Sequence, residues 1–157
     1  MNALFRAVLA PIVAFLPYTA AAQVATAPRP GKVVIVGTLV RRDSLPSAGT
    51  EVFIGKYGEG RISYDYLVDM AAGRTTGLAN PHAMTDSAGG FQLSVDIAWF
   101  ESDQQYTIAA FDYGGEVVIV QTSDSTWAFR PTNEVVQQAR RRGLMIRLGK
   151  VRCVGCA

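Results

Sequence analysis

The stretch with the most chemistry in it is Cys153-Val154-Gly155-Cys156, two thiols separated by two residues near the C-terminus. Three chemistries use that spacing. A redox dithiol normally opens a helix beside a βαβ unit, where the helix dipole lowers the thiol pKa. Here only Ala157 follows, so that arrangement is not expected. A zinc site takes about four ligands, and the single histidine, His82, does not complete one within the chain. A disulfide, local or to another chain, needs only an oxidising compartment. The expectation is therefore a disulfide at Cys153 and Cys156, with redox or metal binding through the CxxC as the alternative reading.

Other candidates are weaker. His82 stands beside Pro81 with no patterned acidic or nucleophilic partner, so it reads as a surface or capping residue. Asp65 and Asp69, four apart, would share one face of a helix. Calcium gathers about six or more oxygens, so a solvated face is expected instead. Tyr57, Tyr64 and Tyr66 cluster in and around one long connection. Exposed tyrosines serve both sugar-binding and protein-binding surfaces; they equally pack a loop onto a sheet. These three are the binding candidates. Arg140, Arg141 and Arg142 complement a helix C-terminus or dock an acidic partner. The net charge is +2, and there is neither an aromatic-interleaved basic patch nor a Gly-rich phosphate loop, so nucleic acid and nucleotide are not expected partners. No catalytic constellation emerges, so the chain is expected not to be an enzyme and to use no cofactor or metal.

The element that must organise these residues is Thr85–Val95. Asp86 and Ser87 can bond their own backbone, and Gly89 and Gly90 take positive φ without steric cost, which makes a tight reversal. Phe91, Leu93 and Val95 then alternate with Gln92 and Ser94, the signature of a half-buried strand. Similar strands are expected at Lys32–Val40, Thr50–Tyr57, His82–Thr85, Gly90–Val95, Tyr106–Phe111, Glu116–Thr122 and Leu144–Val151. Pro131 precedes a helix over Asn133–Arg142, with Thr132 or Asn133 as cap, Glu134 in the first turn and Gly143 as the stop. The fold class expected is all-β: an antiparallel β-sandwich of about seven strands, with one short C-terminal helix before the last strand. Within the long connection 58–81, Tyr64–Ala72 is expected to form two turns of helix, from Ser63 to Gly73.

The ends carry other information. Arg6, the apolar run Ala7–Leu16, the breaker Pro17 and the small residues Ala20–Ala22 read as a secretory signal peptide over 1–22. Its apolar run falls short of the roughly 20 residues a bilayer span needs. A flexible leader follows over 23–31, then the domain over 32–151 and a cysteine tail over 152–157. The protein is expected to be secreted or periplasmic, with no stable membrane span after cleavage.

Taken in order, several pieces form a pattern. They are the strand Val34–Val40 with its Gly37, the Pro46 and Gly49 before Glu51–Ile54, the run Thr85–Phe91, and Tyr106–Phe111 before a Gly-containing turn. This resembles the carboxypeptidase regulatory-like domain family, a transthyretin-like β-sandwich. The likeness covers about two thirds of the mature chain, judged by these turn and strand cues. It departs from the pattern in the insertion 58–81 and in the helix and cysteine tail. The resemblance implies a non-catalytic accessory acting in folding, docking or occasional carbohydrate binding. The expected function is an exported module for protein binding or envelope assembly, with a protein or glycan of the cell envelope as partner; a carbohydrate-binding module is the alternative. On this reading the insertion is separable, and deleting Ile62–Gly77 leaves a folded β protein that has lost its partner.

Overall fold

The structure, a computed structural model, describes residues 28–69, 74–112, 114–122, 125–153 and 156. The expected signal peptide 1–22 and most of the expected leader 23–31 lie outside the described residues. The strands run β1 (Lys32–Val40), β2 (Glu51–Gly58), β3 (Arg61–Ser63), β4 (Tyr66–Asp69), β5 (Arg74–Leu78) and β6 (His82–Met84). After them come β7 (Gly90–Asp96), β8 (Tyr106–Phe111), β9 (Val117–Ile119), β10 (Gln121–Thr122) and β11 (Ser125–Thr126), then the helix α1 (Asn133–Arg142) and β12 (Leu144–Arg152). Two five-stranded sheets form a sandwich. The first, sheet A, has the order β11-β10-β12-β1-β7; the second, sheet B, has β3-β2-β8-β9, with β6 also on β2. All pairings among the described residues are antiparallel except that of β1 with β12.

Each expected strand is present, and the helix ends where its caps place them. Thr132 accepts from the Val135 amide and Gly143 closes the last turn onto the Ala139 carbonyl. One strand divides. Val120 is buried and donates to Ile108, and the chain passes there from β9 in sheet B to β10 in sheet A. The main core lies between the sheets: Val33, Ile35 and Leu39 of β1 and Phe91, Leu93 and Val95 of β7 face Val52 and Ile54 of β2 and Tyr106, Ile108 and Ala110 of β8. Alternation aims these side chains inward, and their burial from water supplies the main driving force.

The Asp86 reversal links the two sheets. The Asp86 Oδ1 accepts from the Ala88 and Gly90 amides at 2.9 and 2.7 Å, and Gly89 takes φ +75°. The Gly89 carbonyl then accepts from the Leu39 amide at 2.8 Å, which ties the turn to the end of β1. Asp112 builds the same device, accepting from the Gly114 and Glu116 amides, between β8 and β9.

The insertion corrects one expectation. Tyr66–Asp69 is strand, not helix, and pairs with Arg74–Leu78 as a two-stranded sheet. Residues 70–73, the rest of the expected helix, lie outside the described residues. Helix propensity there is weak, and tertiary context overrides it, because the outer face of sheet B is apolar and the hairpin's Leu78 packs into it. The strand also removes the helical face that Asp65 and Asp69 would have shared.

Candidate functional site

Sheet B is apolar on both faces. In β2, Val52 and Ile54 face the main core, so Phe53 between them faces outward. In β8, Ala109 and Phe111 face outward likewise. Phe53 and Ala109 are nevertheless fully buried, because β5 lays Leu78 over them, with Ile62 of β3, Phe111 and Val117 of β9 around the rim. The Phe53 and Phe111 rings stack at 5.2 Å. Tyr64 closes this seam edge-on, 5.6 Å from Phe53 and 6.0 Å from Phe111, and remains 38% exposed. Such offset and edge-on pairs add about 0.5–1.5 kcal/mol beyond area burial.

One buried amide fastens the hairpin to the sheet. The Asn80 Oδ1 accepts from the Asp65 amide at 2.7 Å. Its Nδ2 donates to the Ile54 carbonyl at 3.1 Å and to the Ser63 carbonyl at 3.4 Å. The Ala79 amide donates to the Asp65 carbonyl, and the Ile54 amide to the Pro81 carbonyl. Asn80 therefore joins β2, the end of β3 and both ends of the hairpin.

The expected site residues separate on this frame. Tyr64 lies on the Phe53–Phe111 pair. Tyr57 is half-buried near the end of β2, opposite Ile62, with its amide on the Gln105 carbonyl. Tyr66 starts β4 opposite Leu78. His82 is exposed, its Nδ1 2.8 Å from the Asn80 carbonyl and its Nε2 3.8 Å from Glu51. Asp86, Gly89 and Gly90 form the reversal described above. Arg140, Arg141 and Arg142 are exposed in the last turn of α1. Cys153 and Cys156 are bonded to each other and buried, and the Cys153 amide donates to the Val40 carbonyl. Among the described residues, no three His, Cys, Asp or Glu side chains gather as a metal site would.

Two exposed charges are tuned by their neighbours. The Ala98 amide, and then Lys32, hold the Asp96 carboxyl below its ordinary value. The hydrogen bond to Glu101 raises Lys56. Both are surface pairs of small energetic weight.

Sequence reasoning missed Phe53, Phe111, Leu78 and Asn80. A signal for the first two was available. The runs Val52-Phe53-Ile54 and Ile108-Ala109-Ala110-Phe111 are unbroken, which is how strands covered on both faces read.

No family model and no curated protein matches the chain. Solved structures with partial likeness include a 9R-lipoxygenase from Cyanothece PCC8801, 14% identical at TM-score 0.41 over 78% of this chain. This chain spans only 16% of that lipoxygenase. An alternative pilotin from the type II secretion system of Vibrio cholerae is 15% identical at TM-score 0.38, over 78% of this chain and 97% of the pilotin. A dioxygenase domain from Streptomyces sp. SirexAA-E is 15% identical at TM-score 0.38, over 85% of this chain and 84% of that one. What fold and site define together is an all-β sandwich with a disulfide-closed end and a hairpin-covered second face.

Proposed function

We propose that this chain is an exported, non-catalytic β-sandwich of the carboxypeptidase regulatory-like kind. On this reading it binds a protein of the cell envelope through the rim of the hairpin-covered face of sheet B. The observation that carries it is the seam at Tyr64. There an aromatic ring, partly open to solvent, stands beside half-buried Ile62, Phe111 and Val117 on a base fixed by Asn80. A tyrosine on a rigid apolar base suits an interface hot spot, since it offers area with little entropy to lose. The signal-like N-terminus and the disulfide support export.

The test is affinity capture from the native envelope fraction with wild type and Tyr64→Ala, after thermal melts show both folded. The expected result is a protein retained by the wild type and lost with the variant. Identical capture by both rejects the seam as the contact. Retention on cell-wall glycan, lost with Tyr64→Ala, replaces the protein reading with the carbohydrate-binding alternative.

A further inference from the structure

The outer face of sheet A, on the other side of the sandwich from Tyr64, carries a feature of its own. Seven of the chain's 15 Lys and Arg residues, but one of its 13 Asp and Glu, fall within 130–152. Simple alternation along β12 would put Arg147 on one face and Lys150 and Arg152 on the other. A bulge changes this. The register on β1 steps from Val36↔Arg147 to Thr38↔Lys150 and Val40↔Arg152, and Gly149, at φ +67°, absorbs the extra residue. Leu148 and Val151 both pack on the inner core. Arg147, Lys150 and Arg152 therefore all face outward, opposite successive outward positions of β1 and about 7 Å apart at the rise of a strand. All three are exposed, and none has an ion-pair partner among the described residues.

At one end this row borders a depression of about 370 Å³ lined by Thr38, Asp86, Gly90, Gln92, Arg147 and Gly149, among others. Part of its floor is bare backbone, because two of these residues are glycines. Its walls hold unspent polar groups. Asp86 uses Oδ1 for its turn, while Oδ2 takes no donor among the described residues. The Thr38 hydroxyl and the Arg147 guanidinium are likewise without a protein partner there. The volume lies in the range of small-molecule sites, roughly 300–1,000 Å³.

We propose that this face binds a linear acidic polysaccharide of the uronate class. One sugar sits in the depression with its carboxylate on Arg147, the donor fork suited to it. A sugar hydroxyl donates to Asp86 Oδ2 and another bonds Thr38. The carboxylates of neighbouring sugars meet Lys150 and Arg152. A phosphate polymer fits less well, because it has no hydroxyl to donate to Asp86 Oδ2 beside Arg147. Single-stranded nucleic acid would want exposed stacking rings, and the ring that borders the depression, Phe91, is 3% exposed and packed in the core. This site is independent of the Tyr64 seam.

Isothermal titration of the purified protein with galacturonate oligomers tests it, with dextran and inorganic polyphosphate as the other arms. The uronate is expected to bind, dextran not, and polyphosphate more weakly. Arg147→Gln should weaken uronate binding about tenfold or more, the scale of a lost charge-assisted bond. Lys150→Gln with Arg152→Gln should weaken it and flatten its salt dependence. Thr38→Val should weaken it a few-fold with the salt dependence unchanged, and Tyr64→Ala should bind as the wild type does. No uronate binding at low salt, polyphosphate binding as tight as uronate, dextran binding equal to uronate, or an Arg147→Gln protein that melts and binds like the wild type would each overturn the proposal.

Discussion

Replacing Asn80 with alanine tests whether the hairpin belongs to the fold. The side chain is 7% exposed and makes two well-formed bonds and one long one. Losing the bond to the Asp65 amide costs little beyond the bond itself, since Asp65 is exposed and water replaces the acceptor. That is about 1 kcal/mol net. The Ile54 carbonyl is different. Ile54 is fully buried, and stripping a buried acceptor of its partner costs about 1–3 kcal/mol. Together the change should destabilise by about 3 kcal/mol. For a domain of this size that lowers Tm by roughly 10 °C. Urea unfolding measures the free energy, and hydrogen exchange at the Ala79 amide, which donates to the Asp65 carbonyl, reports whether the hairpin opens on its own. Asn80→Asp keeps the acceptor for Asp65 but loses the donor to Ile54 and buries a charge, so it should be weakest at neutral pH and recover in acid. An Asn80→Ala protein that melts within a degree of the wild type, with Ala79 still protected, would refute the view of this amide as the fastening.

Three further outcomes are expected. Gly89→Ala should cost more than about 2 kcal/mol, since positive φ alone costs an L residue about 1–2 kcal/mol and a Cβ would also overlap the Leu39 carbonyl oxygen; urea unfolding gives the number. Replacing both Cys153 and Cys156 by alanine should destabilise by about 2 kcal/mol, the loop-entropy value for a bridge with a sequence separation of 3, and melts of the wild type but not the variant should respond to dithiothreitol. Asp96 has its folded pKa held down, so its contribution is full above the unfolded value, near 3.8, and is lost as pH falls through the lower folded one; Asp96→Asn should flatten the acid limb of the stability–pH curve.

What the sequence made legible is what local chemistry determines. The Asp86 turn needs only its own side chain and two glycines, and α1 needs only Thr132, its charge gradient and Gly143. A disulfide at Cys153 and Cys156 needs only an oxidising compartment, but whether the two bond each other or another chain was open until the structure joined them. Partners far apart in the chain were not legible. Pairing of β1 with β12 joins Val33 to Leu144 in parallel, which no local pattern announces. Glu116–Thr122 reads as one strand, yet it leaves one sheet for the other at Val120, where each sheet offers an edge. The bulge at Gly149 is a single residue, and it reverses the face on which Arg147 stands. The tyrosines drew attention as a binding cluster by proximity in sequence, whereas Tyr64 packs on the Phe53–Phe111 pair and Tyr57 stands opposite Ile62 near the end of β2.

The packing of the hairpin limits where a partner can bind. An appended docking loop would leave sheet B with a polar outer face, and β2 and β8 would alternate cleanly. They do not: Val52 to Gly55 and Tyr106 to Ala110 are buried residue after residue. The hairpin is thus a third layer over Phe53 and Ala109, and removing Ile62–Gly77 would take away β3 and the strand that carries Leu78. Burying a side chain the size of phenylalanine contributes about 1.5–3 kcal/mol, a large share of a marginal total of about 5–15 kcal/mol. That deletion should yield an unfolded or aggregating product, and its loss of binding would say nothing about the contact surface. On the proposed reading, the part of this face left for a partner is the rim, where Tyr64, Ile62 and Val117 reach solvent, and single substitutions there separate recognition from folding.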